Sequence, residues 1–527
     1  MNHFAELALK ASTDQAVLRA AALTDAPLAN EGAQTMRPLQ VAAALAGALD
    51  AAGVRYGVLH GIVGLAQGLA GHDDIDLFVD RRDYAAFCAV VGSLHGLRGT
   101  SLSCYDNVCA GREDWFLPDF AEGRYLHVDL HVGVRVGWEF RKRYLTLDQV
   151  PAARWERLAL GKTNLPVARA EDEMRNAVSR LAFGSWLPPW RRWITLRGHH
   201  DALWTRLPNN TEEHVVTFPG AGMEAVDCRV RLEDGRLLIR RADLGRLRQA
   251  IRKGSGFAGL GIADPGVHLT RKVCYRTLRL LERIRSGSVP PKRRPIGGGL
   301  VIAIVGPDGV GKSTQAERLA QVFRWKFGCM NVYAGTGDGH GWWFRKLLGR
   351  LLLRRRAQLK SAIRNGDGKT DGRGWLADIL AVGLGMWGIL IALERHAMVK
   401  RAHRWAARGF IVISDRWPQA LQRGILDGPM IPPGPYRLPG PAALARREQA
   451  LYRQMHAMRP HLTVHLIAPH SVSQQRKPGE IGKEAFDARL SLMARLREQN
   501  QDIQIVDAGA SVEAVSHELF RRIWHSL

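Results

Sequence analysis

The sequence predicts an α/β protein: a C-terminal doubly wound parallel sheet, preceded by a smaller α+β unit with a helical extension. Three observations carry that expectation. The apolar run Leu300–Val305 leads into Gly306-Pro307-Asp308-Gly309-Val310-Gly311-Lys312-Ser313-Thr314, and residues 315–327 then recur at helical spacing through Ala316, Leu319, Phe323 and Phe327. Further apolar strands, at residues 408–418, 462–467 and 503–506, are separated by helical patterns, the order of a parallel sheet. In the first third, residues 73–79 and 125–131 alternate polar and apolar, as half-buried strands do.

The glycine-rich stretch has the spacing of a phosphate-binding P-loop. Glycines let consecutive backbone N–H groups face one concavity, and the helix that follows adds the positive end of its dipole. Polyphosphate is the natural guest. The loop residues Gly306, Asp308, Gly309, Val310, Gly311, Lys312, Ser313 and Thr314 are the candidate nucleotide contacts. Lys312 is placed to reach the outer phosphates, and the Ser313 hydroxyl to ligate the Mg²⁺ that accompanies them.

A chain of 527 residues exceeds one hydrophobic core and suggests roughly two to four domains. With 46% hydrophobic and 24% charged residues, its composition excludes a fibrous or disordered class. The six cysteines form no Cys-x-x-Cys pair, which argues against a zinc site or a disulfide framework and fits a reducing cytoplasm. Glu6 and Asp14 interrupt the first residues, so no signal peptide is expected. Residues 375–393 are apolar apart from Asp378 and approach the ~20 residues that span a bilayer. Asp378, Gly383, Gly385 and Gly388 favour a packed helix there. The net charge of +25 asks for an anionic partner, nucleic acid or a membrane surface, unless basic residues such as Arg350, Arg354, Arg355, Arg356 and Lys360 form solvated faces. Peripheral contact with a membrane and assembly into a homodimer are both compatible with this composition.

In chain order, residues 38–52 read as an amphipathic helix stopped by Gly53, and residues 55–60 as a short strand. Alternation then places Asp74 and Asp76 on one strand face, with Asp129 on a second strand able to join them. Neighbouring carboxylates repel unless a cation sits between them, so a divalent metal is the expected occupant. Residues 36–135 resemble the nucleotidyltransferase superfamily, through Gly61 at a strand end followed by Asp74, Asp76 and Asp129. That resemblance implies metal-dependent nucleotidyl transfer. Ile62 departs from the pattern, standing where the superfamily places Ser or Gly, so the contact to the triphosphate is missing or made by Gly64 or Gly68. The other reading of these acids is solvated strand-end residues in a scaffold.

Residues 170–183 are helical and lead to Trp186, Trp190 and Trp193 beside Arg191 and Arg192, a group suited to base stacking, a headgroup layer or packing between domains. Residues 227–241 read as a hairpin about Asp234-Gly235. Residues 267–285 form a basic amphipathic pattern, and the prolines and glycines of residues 286–299 read as a linker.

The strand over residues 408–418 ends in Asp415-Arg416, where a parallel sheet presents ligand groups. Asp415 is placed to serve the metal and Arg416 to clamp a phosphoryl group. The P-loop, Asp415-Arg416 and the Arg476-Lys477 segment together make residues 298–527 resemble the thymidylate kinase family. That resemblance implies ATP and Mg²⁺, with a basic lid drawn from Arg476, Lys477, Lys483 and Arg489. Two segments depart from it: Val332 to Asp338 lacks the base-reading arginine, and Asp415-Arg416 continues into Trp417-Pro418, with Asp427-Gly428-Pro429 downstream. The sequence therefore implies an ATP- and Mg²⁺-dependent phosphotransferase of P-loop kinase type acting on an unidentified acceptor. The alternatives are nucleotidyl transfer at the N-terminal acids, or an ATP-gated module that binds nucleic acid or anionic membrane. The expected division is 1–195 (nucleotidyltransferase-like), 196–285 (intermediate), 286–299 (linker) and 300–527 (kinase-like).

Overall fold

The computed structural model of the chain describes residues 37–59, 61–100, 112–132, 134–136, 145–147, 155–184, 190–196, 200–207, 212–218, 225–253, 273, 277, 280, 293–335, 375–434, 436 and 439–527. The basic groups at 350–360, Trp186, and nearly all of the basic pattern at 267–285 lie outside them.

The N-terminal unit is built on an eight-stranded mixed sheet of order β14-β3-β4-β5-β2-β1-β9-β8. Helix α1 (Gln40–Ala51) precedes β1 (Tyr56–Val58), and a short helix α2 (Leu65–Leu69) leads to β2 (Asp74–Val79). Helix α3 (Tyr84–Ser93), β3 (Leu97–Thr100), β4 (Arg112–Asp119) and β5 (Arg124–Val132) follow. Strand β2 alternates as its sequence demands: Ile75 and Leu77 are buried, while Asp74 and Asp76 are half-exposed. It pairs antiparallel with β1 and parallel with β5, setting Asp76 opposite Asp129. Strands β6 (Val134–Val136) and β7 (Leu145–Leu147) pair with each other, and β8 (Trp155–Leu160) and β9 (Thr163–Ala168) extend the large sheet.

Helix α4 (Ala170–Gly184) shares a core with an antiparallel sheet of order β10-β13-β12-β11. Its elements are β10 (Trp193–Thr195), helix α5 (Asp201–Thr205), β11 (Glu213–Phe218), β12 (Val226–Glu233), β13 (Arg236–Arg240) and helix α6 (Arg241–Lys253). The hairpin turn takes φ of +49° at Asp234 and +72° at Gly235, the two positive values that a tight turn between twisted strands requires. Trp193 lies under the Arg231 guanidinium, 4.2 Å from its ring centroid.

The C-terminal unit is a five-stranded, wholly parallel sheet of order β16-β17-β15-β18-β19. Strand β14 (Arg294–Pro295), within the stretch expected as a linker, pairs instead with β3 at the edge of the N-terminal sheet. The parallel strands are β15 (Leu300–Val305), β16 (Cys329–Tyr333), β17 (Ile411–Asp415), β18 (Leu462–Ile467) and β19 (Gln504–Asp507). All six residues of β15 are buried because helices cover both faces. On one face lie α7 (Lys312–Arg324) and the C-terminal helix, Val512–Ser526; on the other lie α8 (Trp375–Ala406), α9 (Pro439–Ala457) and α11 (Lys483–Gln499). Helix α10 (His470–Arg476) connects β18 to α11, and the C-terminal helix is α12. The apolar run at 375–393 belongs to α8, and no helix among the described residues is long and apolar enough to cross a membrane.

Phe116 of β4 and Tyr125 of β5 belong to the same core as the P-loop helix α7 and α12. The Phe116 ring centroid lies 4.4 Å from that of Phe327, and Tyr125 lies 5.6 Å from Trp524. The Tyr125 hydroxyl donates to Val322 O at 3.2 Å and accepts from Lys326 N at 3.2 Å, so it satisfies backbone groups left over at the end of α7. The two large sheets are thus joined by a buried aromatic contact. Phe116→Ala is expected to cost about 3–5 kcal/mol and Tyr125→Phe about 1 kcal/mol, measured by denaturant unfolding of the full chain.

Candidate functional site

The P-loop follows β15 without an intervening residue, and its shape depends on glycine. Gly309 and Gly311 take φ of +85° and +96°, and a Cβ on Gly309 would stand 2.4 Å from Ser473 Oγ. That serine, in the middle of α10, donates to Asp308 O at 2.7 Å and fixes the loop from the far side. Gly306 packs against β18, where a Cβ would meet Leu466 O at 2.6 Å. Val310 is buried, whereas Ser313 and Thr314 are exposed at the start of α7.

Lys312 is buried beneath the loop, its ammonium donating to Pro307 O at 2.6 Å and lying 3.5 Å from Asp308 Oδ1. Burial, assisted by the Arg416 charge, brings its pKa down to about 8. Ser313 Oγ donates to Asp415 Oδ2 at 2.5 Å. The other oxygen, Asp415 Oδ1, is buried and has no hydrogen-bond partner among the described residues. A buried, unpartnered carboxylate oxygen beside a serine hydroxyl at a phosphate loop is a fitting ligand set for a hard divalent cation such as Mg²⁺.

Asp308 gathers the cations of the site. Arg416 Nη2 donates to its Oδ1 at 2.6 Å, and Arg489 Nη2 lies 3.2 Å from its Oδ2. Burial would raise the Asp308 pKa, but Arg416 and Lys312 outweigh it and lower it. Arg416 shows the converse: burial would lower its pKa, and Asp427 and Asp308 raise it. Of the lid residues expected from sequence, Arg476 donates to Val310 O at 3.1 Å and Arg489 reaches Asp308. Lys477 turns away to pair with Glu480, and Lys483 opens α11. Sequence reasoning missed Ser473 and the role of Asp427, whose Asp-Gly-Pro context signals only a turn.

The N-terminal acids divide into two groups. Asp76, Asp129 and His131 have ligand atoms within 4.8 Å of one another, with His131 Nε2 at 3.4 Å from Asp76 and 3.7 Å from Asp129. Arg112 already engages both oxygens of the buried Asp129, at 2.8 and 3.0 Å from Nε. This set fits a divalent ion less well than the pair at Asp415, because the guanidinium competes for the same oxygens. Asp74 faces elsewhere: Lys326 Nζ lies at 3.8 Å and His127 Nδ1 at 3.9 Å. Burial would raise its pKa, but Asp73, Lys326 and His127 lower it. Two residues along a strand are roughly 6.6 Å apart, so Asp74 and Asp76 share a face but have different cross-strand partners, His127 and Asp129.

The turn after β1 holds a further surprise for the sequence reading. Gly61 takes φ of +75° and begins a single 3₁₀ turn, and buried Ile62 lies within it. The backbone amides of Ile62 and Gly61 favour the charged form of the Glu173 carboxylate, although burial raises its pKa overall. Arg206 Nη1 donates to Glu173 Oε2 at 2.8 Å from the other side. An internal carboxylate therefore faces the amides of this turn.

No protein-family model matches the chain. A protein of Escherichia coli (strain K12) named "Uncharacterized ATP-binding protein YghR" is 31% identical over 221 residues, 41% of this chain and 83% of the relative. The protein of the same name from Escherichia coli O6:H1 (strain CFT073) gives the same figures. Among solved structures, a thymidylate kinase from Candida albicans aligns at 15% identity over 43% of this chain and 91% of its own, with a TM-score of 0.25. A score that low adds nothing to the fold already visible in the strand order.

Lys312 gives the site a testable pH signature. Its ordinary pKa of 10.5 falls to about 8 in the folded chain. Between those values the unfolded chain holds more protons on this group than the folded chain does, so stability rises with pH across that window. Below about pH 8 the buried cation carries its full penalty. Lys312→Met should remove this penalty of roughly 3 kcal/mol, visible as a flatter slope of unfolding free energy against pH between 8 and 10.

Proposed function

The chain belongs to the family of the Escherichia coli ATP-binding protein YghR, and from that premise we propose that it is an ATP- and Mg²⁺-dependent phosphotransferase of P-loop kinase type. The observation that carries this reading is the Ser313–Asp415 pair, with Asp415 Oδ1 left unpartnered beside the glycine loop. Nucleotide binding alone needs the loop amides and Lys312. A second ligand oxygen for the metal, and arginines converging from three separate elements, suit a site where phosphoryl charge must be neutralised during transfer.

In this reading the backbone N–H groups of residues 308–314 hold the β- and γ-phosphates, and Lys312, drawn off Pro307 O, pairs with their outer oxygens. Ser313 and Asp415 would hold Mg²⁺, which would supply neutralisation of the phosphate charge. Arg416, Arg476 and Arg489 stabilise the transferring group, and no protein nucleophile is required. Residues 300–527 form the kinase-like unit, and α4 with the sheet β10–β13 and α6 an intermediate one that starts before the expected boundary at 195, with the N-terminal sheet serving as scaffold. Arg112 neutralises Asp129 and Glu173 faces the amides of the Gly61 turn, so we assign no second transferase activity to the N-terminal acids.

The test is ATP turnover by the full chain against nucleoside monophosphates, sugar alcohols and lipid headgroup alcohols, with Lys312→Ala and Asp415→Asn alongside. Each variant is expected to lose about 100-fold or more in kcat. Equal turnover in native protein and Lys312→Ala overturns the assignment.

A further inference from the structure

The segment after β17 departs from the sequence pattern of the thymidylate kinases, and it is also where the backbone is most unusual. Arg416, Leu426 and Asp427 take φ of +78°, +44° and +59°, and none of them is glycine. Left-handed backbone at such residues costs about 1–2 kcal/mol each. It persists where the surroundings fix it, and here they do. Glu448 of α9 accepts from Met430 N at 3.0 Å and Ile431 N at 2.7 Å, and the buried Gln419 side chain donates to Gln422 O and Ile425 O at 2.5 and 2.6 Å. Arg395 of α8, only 3% exposed, donates through Nη2 to Asp427 Oδ1 at 2.7 Å and through Nη1 to Asp427 O at 3.1 Å. Its Nη1 also donates to the Tyr452 hydroxyl at 2.5 Å.

The strained turn therefore delivers one carboxylate to one place. Asp427 Oδ2 lies 3.5 Å from Arg416 Nη1, while Arg416 Nη2 is held by Asp308 at 2.6 Å. Arg416 Nε is buried and has no hydrogen-bond partner among the described residues. A guanidinium facing a lone carboxylate settles into a two-pronged pair, the strongest geometry open to it. With Nη1 drawn towards Asp427, Arg416 gives Asp308 a single prong. The Asp308 contact keeps the guanidinium beside the glycine loop.

We propose that Asp427 is a positioning residue for phosphoryl transfer: it prevents Arg416 from closing fully onto Asp308 and keeps the guanidinium aimed at the phosphates, while Arg395 fixes Asp427 in turn. The proposal rests on the phosphotransferase reading above and adds to it the part that orients its arginine. The side-chain partners of Asp427 are Arg395 and Arg416. Its loss should therefore weaken the transition state and leave ground-state nucleotide binding nearly intact.

The experiment follows hydrolysis of ATP by the full chain with Mg²⁺ and water as acceptor, comparing native protein, Lys312→Ala, Asp427→Asn and Asp427→Glu. Asp427→Asn is expected to lower kcat about tenfold or more with KM for ATP within about twofold of native. Asp427→Glu keeps the charge that Arg395 and Arg416 require, so it tests position even where the asparagine variant fails to fold; its kcat should fall as well. Native kcat in Asp427→Glu, or in a folded Asp427→Asn, overturns the proposal and leaves the phosphotransferase reading standing. So does a joint loss of kcat, ATP affinity and melting temperature, which marks a structural ion pair only. Native turnover no higher than that of Lys312→Ala removes the phosphotransferase reading itself.

Discussion

The parallel pairing of β15 with β17 is the constraint on which the phosphate site depends. Its register sets Ile304 beside Asp415, so the strand that runs into the glycine loop ends level with the strand that ends in the acid. Parallel strands place their carboxyl ends on one edge of the sheet, and the dipole of α7 points at the same edge. A slip of one residue would turn Asp415 to the opposite face and break its contact with Ser313. Full burial of both strands, between α7 and α12 on one side and α8, α9 and α11 on the other, makes such a slip expensive.

Around that edge the chain balances charge with its own groups. Lys312, Arg416 and Arg489 converge on Asp308, and Asp427 joins Arg416 to Arg395. Cations brought this close without a counter-ion would repel one another strongly, and burial would strip them of water. Asp308 supplies the counter-charge. An incoming polyphosphate would compete with it for the same cations, so binding is an exchange of anions in place of the creation of a new charge pair.

The N-terminal unit touches this site through packing. Tyr125 closes the end of the P-loop helix, Phe116 lies against Phe327, and Arg293 donates to Asp114 at 3.1 Å. Burial would raise the Asp114 pKa, but His127 and Arg293 bring it down to about 2, so the junction keeps an ionised acid at its rim. Beyond it, the acids of β2 and β5 are largely matched within the chain, by Arg112, His131 and Lys326. An aromatic seam with an ion pair at its edge resists both rotation and separation of the two sheets.

The sequence by itself determined the local devices. Periodicity and residue type located β15, β17 and β18, the hairpin at Asp234-Gly235, and the loop from Gly306 to Thr314, because each depends on neighbours within a few residues. Only the tertiary structure decided which distant groups meet. Alternation put Asp74 and Asp76 on one face, yet the cross-strand register sent them to different partners. A basic run named Arg476 and Lys477 together, and the turn of α10 sent one to the loop and the other to Glu480. Glu173 and Arg206 reach the Gly61 turn from more than a hundred residues away, and Asp427 reaches Arg416 through a strained turn that reads as a loop. Such pairings are set by how helices pack across a sheet, over distances along the chain that no local pattern encodes.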